Sequence, residues 1–77
     1  MRIETLYEFL LLTTNLNFTE TAKSFYISQS VLSNHVSSLE KELGIRLFEK
    51  NGRRVSLTVY GQQFFECALA ALATLDS

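Results

Sequence analysis

Short polar side chains between positions 28 and 44 are the residues best suited to chemistry. At about 100° of rotation per residue, one side of a helix there would carry Ser30, Ser33, Asn34, Ser37 and Lys41. Hydroxyl and amide groups both donate and accept hydrogen bonds, yet Ser and Asn favour helix less than the Glu and Lys of an ordinary solvated face. Such a face is expected to press against a polar partner, and a DNA major groove is the leading candidate.

An apolar stripe on the opposite side of the same segment anchors it. The stripe is formed by Leu32, Val36, Leu39 and Leu43. Their spacings of four, three and four are typical of one buried helix face. Ser28 is a suitable N-cap, and Gly44 suits the left-handed residue that often follows a helix. The sequence therefore predicts a helix over 29–43 with a buried anchor and an outward polar face.

Length and composition restrict the class of protein. The chain has 77 residues, 47% of them hydrophobic, which is enough for one compact core. It contains no run of 18 apolar residues, so we expect no membrane span. Acidic residues at positions 4 and 8 do not fit a signal peptide. The single cysteine and single histidine exclude an internal disulfide and a metal cluster. We expect a cytoplasmic protein without a cofactor.

The charge distribution is more informative than the net charge. A formal net charge of -1 argues mildly against nucleic acid, whose binders usually have a basic excess. The nine residues 46–54 contain one acidic residue, Glu49, and four basic ones: Arg46, Lys50, Arg53 and Arg54. The positive charge is therefore concentrated in one short segment.

Two helices are predicted before this polar helix. The first runs from about Arg2 to Thr14 and is expected to be largely buried through a stripe of Ile3, Leu6 and Leu10 with Thr13 or Thr14, which Tyr7, Phe9 and Leu11 widen. The second is short, with Thr19 as its N-cap, Ala22 and Phe25 facing inward, and an end near Phe25. Two helices joined by about three residues, the second with a polar outward face, are typical of a helix-turn-helix.

A β-hairpin is predicted after Gly44. Segments 47–50 and 54–57 bracket Asn51, Gly52 and Arg53, and Asn-Gly favours a tight turn because both residues tolerate positive φ. Lys50, Arg53 and Arg54 would lie at or near the tip of this wing. The wing is either a solvated charged turn or a device that places cations on phosphates or in the minor groove.

The last predicted helix begins after Thr58, its expected cap, and has more apolar surface than a small domain buries alone. One stripe is formed by Phe64, Ala68, Ala71 and Leu75, and a neighbouring stripe by Phe65, Leu69 and Leu72. Either stripe could face the core, which leaves the other for a second copy of the chain. A monomeric core helix is the alternative. Because no C-cap is present, we expect the chain to be cut within or just after a long helix.

Several segments together resemble the N-terminal domain of LysR-type transcriptional regulators. They are residues 18–23, 27–33, 39–50 and 57–58, together with Gly61. The resemblance spans essentially the whole chain in order and register. It implies a winged helix-turn-helix over 1–57 and a linker helix over 58–77 that dimerises antiparallel. It also implies an effector-binding domain, absent from this chain, that holds a small molecule, and a full-length protein that is commonly a tetramer.

The resemblance also assigns roles to residues. Family members touch bases at the positions matching Gln29, Ser30, Ser33 and Asn34, and a wing arginine entering the minor groove matches Arg53. Two departures stand out. Ser30 replaces the usual proline, and the positions after Ser33 lack the usual basic residues. Fewer arginines imply fewer phosphate contacts, and Asn suits adenine where Arg would suit guanine.

The sequence thus predicts a mostly α winged helix-turn-helix that binds double-stranded DNA as a homodimer. The predicted DNA-binding residues are Gln29, Ser30, Ser33, Asn34, Ser37, Lys50, Arg53 and Arg54. The alternative is a winged helix that binds another protein, which the net charge favours. His35, at the edge of the polar face, is expected to have a surface or packing role, and Cys67 to be a small buried thiol. No nucleophile–base pair or phosphate loop indicates an enzyme.

Overall fold

The computed structural model describes the backbone of residues 2–76 and the side chains of residues 2–74. Within this range the elements, in chain order, are α1 (Ile3–Asn15), α2 (Phe18–Ser24), α3 (Gln29–Leu43), β1 (Phe48–Asn51), β2 (Arg54–Leu57) and α4 (Val59–Asp76). The two strands form one antiparallel hairpin. The predicted mostly α fold with a hairpin wing is confirmed.

The core lies where α1, α2, α3 and the base of the hairpin meet. Its fully buried side chains include Phe9, Leu12, Leu32, Leu39 and Leu47. The Phe9 ring lies 5.6 Å from the ring of Phe48 and 5.2 Å from that of Phe64, centroid to centroid. Aromatic pairs at these distances add to the apolar area they bury. Phe9 thus joins the first helix to the hairpin and to α4.

The buried face of α1 differs from the predicted one. Ile3 is 44% exposed, and the buried residues of α1 are Glu8, Phe9 and Leu12. Leu10 is only half-buried at the edge of the core. The predicted centre of the stripe was wrong, whereas Phe9, expected only to widen it, is fully buried. Because α1 is apolar on several sides, the contacts of Phe9 decide which side faces inward.

The start of α2 also differs from the prediction. Asn17 is the N-cap, since its side-chain oxygen accepts a hydrogen bond from the Glu20 N–H at 3.0 Å. The helix therefore begins at Phe18, which is buried, and Thr19 lies in its first turn rather than at the cap. Ala22 faces inward as predicted.

The helix α3 is the element that the sequence predicted best. The Ser28 hydroxyl accepts a hydrogen bond from the Val31 N–H at 3.1 Å, as expected of an N-cap. At the other end, Gly44 has a left-handed φ of 71°, which suits a residue without a Cβ. The first three members of the predicted apolar stripe are buried, and Leu43 packs half-buried beside them. Because these apolar residues are buried in the core, the polar face on the opposite side of α3 points outward.

The hairpin forms where predicted, but its turn is one residue shorter. Asn51 pairs with Arg54 at the end of the ladder, so only Gly52 and Arg53 form the loop. Gly52 has a φ of 65°, whereas neither Asn51 nor Arg53 has a positive φ. A positive φ at the first loop residue alone is the pattern of a type II′ turn, in which glycine is favoured at that position. Of the two residues expected to tolerate positive φ, only Gly52 adopts it.

The helix α4 packs against α1 and β2. Thr58 is its cap as predicted, since the Thr58 hydroxyl accepts a hydrogen bond from the Gly61 N–H at 2.9 Å. Gly61 is buried, and a Cβ there would collide with the Leu47 carbonyl oxygen. The absence of a side chain thus lets α4 approach the start of the wing closely. None of the described helices is long and apolar enough to cross a membrane.

The inward face of α4 draws on both predicted stripes. Ala68 and Leu72 are buried, and Phe64 and Phe65 are half-buried against the core. Leu69 is 47% exposed and Ala71 is also exposed. The side chain of Leu75 lies outside the described residues. Cys67 is exposed, so the expectation of a buried thiol was wrong: it lies on the flank of α4 turned from the core.

Candidate nucleic-acid interface

The polar face of α3 is available to a partner. Gln29, Ser30, Asn34 and Ser37 are exposed, and Ser33 is half-buried. Ser30, Ser33, Asn34 and Ser37 fall within about 100° of one another, on the side of the helix away from the buried Leu32, Val36 and Leu39. Gln29 is exposed at the first position of the helix, beside this face.

The two helix starts are joined by a side-chain hydrogen bond. The Thr19 hydroxyl, in the first turn of α2, donates to Oε1 of Gln29 at 3.2 Å. Sequence reasoning missed this contact because it assigned Thr19 to the cap of α2. Asn17, three residues before Glu20, is an equally good cap by residue type. Assigning the cap to Asn17 would have left the Thr19 hydroxyl free for another partner.

His35 has a structural partner inside the domain. Its Nδ1 lies 2.8 Å from Oε1 of Glu8, whose side chain is only 5% exposed. The pair links α1 to the middle of α3, next to Asn34. The expected packing role of His35 is confirmed, and the residue is set apart from the outward polar face.

A single carboxylate ties the wing to α3. Oε2 of Glu40 accepts hydrogen bonds from the backbone N–H groups of Leu47 at 2.7 Å and Phe48 at 3.3 Å. The same oxygen lies 3.6 Å from Nε of Arg46. Because Glu40 belongs to α3, these contacts fix the start of the hairpin relative to the polar face of that helix.

Replacing Glu40 by Ala is expected to destabilise the fold. The change leaves the buried Leu47 N–H without an acceptor, which costs about 1–3 kcal/mol. Glu40→Gln is the matched control, since the amide retains an acceptor oxygen and should lose less. Urea unfolding followed by circular dichroism measures both. Equal midpoints for Glu40→Ala and the unmodified chain would show that this contact does not hold the wing.

The basic side chains of the wing differ in their surroundings. Nζ of Lys50 lies 4.5 Å from the centre of the Phe18 ring, a cation–π distance. Arg53, in the turn, and Arg54, beside it on β2, are exposed. Neither arginine side chain has a hydrogen bond or ion pair with the part of the chain that the structure describes. Their guanidinium groups are therefore available to an anion such as phosphate.

A small depression joins the helix face to the wing. It has a volume of about 150 Å³ and lies between α3 and β1. Ser33 and Ser37 line it from the helix, and Arg46 and Lys50 from the hairpin side. The structure thus brings the hydroxyls of α3 next to two of the four clustered cations, while Arg53 and Arg54 do not line the depression. No group of three side chains able to hold a metal occurs within the described residues.

The sequence matches a known family over most of its length. The family model described as "Bacterial regulatory helix-turn-helix protein, lysR family" matches residues 3–62. The transcriptional activator IlvY of Haemophilus influenzae is 41% identical over 68 residues, which are 88% of this chain and 23% of that protein. The chain thus spans less than a quarter of the length of IlvY. These relatives are transcriptional regulators, and the expectation that the chain is not an enzyme is confirmed.

Solved structures agree with this family. The DNA-binding domain of BenM, a regulator of Acinetobacter baylyi, crystallised with catB site 1 DNA, has a TM-score of 0.89 and 34% identity. The match covers 99% of this chain and 82% of that one. The CbnR DNA-binding domain, also solved with DNA, has a TM-score of 0.90 and 29% identity over 99% of this chain and 87% of that one. The predicted resemblance is confirmed: the chain belongs to the LysR family of bacterial helix-turn-helix regulators.

Proposed function

We propose that this chain is the sequence-specific DNA-binding domain of a transcriptional regulator, with α3 in the major groove. The observation that carries the proposal is the exposed polar face of α3 over a buried anchor, beside a wing with two exposed arginines that have no partner among the described residues. An α-helix fits the major groove, where base edges present distinct donor and acceptor patterns. The DNA complexes of BenM and CbnR domains, which share this fold, support the same use here.

Each part of the interface has its own role in the proposal. At the start of α3, Gln29, Ser30, Ser33 and Asn34 meet base edges. The phosphate contacts come from Ser37, Lys50 and Arg54. Phosphate contacts position a protein on the duplex, whereas base contacts specify the sequence. Arg53, at the tip of the hairpin, enters the minor groove, where a narrow A·T-rich segment attracts arginine.

A winged helix that binds another protein is the competing function, and the net charge of -1 is the observation in its favour. Fluorescence anisotropy with a labelled random duplex at about 50 mM and 200 mM salt separates the two functions. A DNA-binding domain binds the duplex and loses affinity steeply at the higher salt, because neutralised phosphates release counterions. A protein-interaction module binds negligibly at both salt concentrations.

Replacing Arg53 by Ala is expected to weaken binding to every sequence. The loss should be largest where the flanking minor groove is narrow and A·T-rich, since the negative potential there is strongest. The slope of log affinity against log salt should fall by about one unit. Arg53→Lys is the matched control, because it keeps the charge and hence the slope. An unchanged slope in Arg53→Ala would place this residue away from the DNA.

We also propose that two copies of the chain associate through α4. The buried residues Ala68 and Leu72 serve the domain's own core, so the surface left for a partner is the outward side of the helix. The exposed large apolar side chains of α4 are Val59, Tyr60 and Leu69, at 73%, 56% and 47% exposure. A second copy would remove this apolar surface from water.

Replacing Leu69 by Asp is expected to weaken self-association without unfolding the chain, because the position is half-exposed. A charge placed in an apolar interface loses its hydration without gaining a partner. Leu69→Met, which keeps an apolar side chain of similar size at the same position, is the matched control. Analytical ultracentrifugation measures the dimer fraction. A clean monomer of the unmodified chain at high micromolar concentration would contradict the dimer.

The remaining proposals concern the longer protein. The LysR resemblance favours a tetramer in which a C-terminal domain, outside this chain, binds a small-molecule effector. A regulator that binds DNA would act in the cytoplasm of a bacterial cell. A two-fold dimer would place two α3 helices about one helical turn apart on a dyad-symmetric site.

A further inference from the structure

The depression between α3 and β1 lies between the two parts of the proposed DNA interface. We propose that it is a binding site for a single phosphate of the DNA backbone, which Ser37, Arg46 and Lys50 contact together. Arg46 is not among the predicted contact residues, so this phosphate site adds a contact to the interface. The inference rests on the proposed function, because it concerns how the same surface holds the DNA backbone.

The position of the depression indicates which part of the DNA would reach it. In B-DNA, each backbone strand has the major groove on one side and the minor groove on the other. With α3 in the major groove and Arg53 in the neighbouring minor groove, one strand must cross the gap between the helix and the hairpin. The depression lies in this gap, because Ser37 lines it from the helix and Arg46 and Lys50 line it from the hairpin side. A phosphodiester is therefore the ligand that docked DNA brings to this point.

The side chains around the depression have hydrogen-bond donors to offer. Ser37 is exposed and Ser33, which also lines the depression, is half-buried. Neither hydroxyl has a hydrogen-bond partner among the described residues. The Lys50 ammonium has no ion pair within the same part of the chain. Phosphate oxygens accept hydrogen bonds, and such bonds are strong when a cationic group donates them.

Two contacts hold the cations in place before DNA binds. Nζ of Lys50 lies 4.5 Å from the centre of the Phe18 ring, which limits the conformations of a long side chain. Nε of Arg46 lies 3.6 Å from Oε2 of Glu40. A guanidinium group has five N–H donors, so the two terminal nitrogens of Arg46 can still donate to a phosphate. Side chains that are already ordered lose less conformational entropy on binding.

Glu40 is the acidic residue among the described side chains that line the depression. A bare carboxylate there would repel a phosphate. However, this side chain is only 14% exposed, and its Oε2 accepts hydrogen bonds from the backbone N–H groups of Leu47 and Phe48. These donors and the guanidinium of Arg46 offset its negative charge. The lining therefore combines two cations with one carboxylate that is already engaged.

Methylphosphonate scanning tests whether these side chains share one phosphate. A methylphosphonate linkage keeps the backbone but replaces one charged oxygen by a methyl group. Each linkage of a duplex that carries the preferred site is replaced in turn. Fluorescence anisotropy then measures the affinity of the unmodified chain, Lys50→Gln, Arg46→Gln and Ser37→Ala. Circular dichroism checks that each variant is folded, which matters most for Arg46→Gln because it loses the ion pair with Glu40.

We expect one linkage at which the replacement weakens binding of the unmodified chain about ten-fold or more, as for a hydrogen bond to a charged group. At that linkage the three variants should lose much less affinity, because each already lacks one contact to that phosphate. Their losses at the other linkages should match those of the unmodified chain.

Ser37→Ala should also weaken binding to the unmodified duplex about two- to ten-fold, the contribution of one hydrogen bond. Ser38→Ala is the matched control, because Ser38 is the exposed neighbour that faces the residues of α1. It should change neither the affinity nor the scan.

Two results would overturn the inference. If Lys50→Gln and Arg46→Gln lose their sensitivity at different linkages, the two cations bind separate phosphates. If neither variant alters the scan, neither cation meets the DNA. Should Arg46→Gln fail to fold, Lys50→Gln and Ser37→Ala decide the outcome, since both must lose sensitivity at the same linkage. If the unmodified chain binds no duplex at all, the proposed function fails as well, so the two failures are distinguishable.

Discussion

Replacing Asn34 by Ala is expected to cost about 1–3 kcal/mol of binding free energy on the preferred DNA site. Asn34 is exposed on the outward side of α3, and its amide can donate to and accept from one base edge. Phosphate contacts are untouched by the change, so affinity for a random duplex should barely fall. The result would be a loss of specificity rather than a loss of binding.

Parallel titrations of the preferred site and a random duplex measure this difference. Ser38→Ala is the matched control, because Ser38 is exposed on α3 but lies on the flank that faces the residues of α1. It should leave both affinities unchanged. If Asn34→Ala weakens the two duplexes equally, Asn34 contacts the DNA backbone and the base-reading assignment is wrong.

Replacing Phe9 by Ala is expected to have the largest effect on stability. The side chain is fully buried between the rings of Phe48 and Phe64, and truncating a buried Phe costs about 3–5 kcal/mol. Small domains have a total unfolding free energy of about 5–15 kcal/mol. The change should therefore leave a marginal fold, and it should also weaken DNA binding because the wing and α4 lose their shared contact.

Urea unfolding followed by circular dichroism measures the stability of this variant. Ile3→Ala is the matched control on the same helix, since Ile3 is 44% exposed and loses less buried surface on truncation. We expect a far smaller shift for Ile3→Ala. Similar midpoints for the two variants would show that Phe9 is not the centre of the core.

An element could be predicted well when the capping residues and apolar pattern that define it lie within or next to it in the sequence. The helix α3 was predicted to the residue because Ser28, Gly44 and the apolar stripe all lie within or beside it. The wing was predicted from Asn51 and Gly52, but its turn type depends on strand pairing, which moved Asn51 into the ladder. Local sequence signals thus predicted where each element lies more reliably than the type of turn that joins the strands.

Helices that are apolar on several sides were harder to orient from sequence. In α1 and α4, more than one stripe could face inward, and the choice depends on tertiary contacts such as those of Phe9. The inward face of α4 combines Ala68 with Leu72, which the sequence had placed in different stripes. The periodicity of apolar residues shows which residues share a helix face, whereas the elements that pack against the helix determine which face turns toward the core.

The candidate site was also only partly predictable from the sequence. Its outward residues on α3 and the wing followed from helix periodicity and charge clustering. The supporting contacts did not, because Thr19 meets Gln29 and Glu40 meets Leu47 only after the chain folds. Such polar contacts between elements have no periodic signature in the sequence, although they determine how the contact residues are held.

Selection of bound sequences from a random duplex pool tests most directly the claim that α3 reads bases. The unmodified chain is expected to enrich a defined motif, with two half-sites related by a dyad if the chain dimerises. A Gln29→Ala, Asn34→Ala double variant should bind DNA but lose base preference at the positions these side chains read. Recovery of random sequences by the unmodified chain, or an identical motif from the double variant, would contradict base reading by α3.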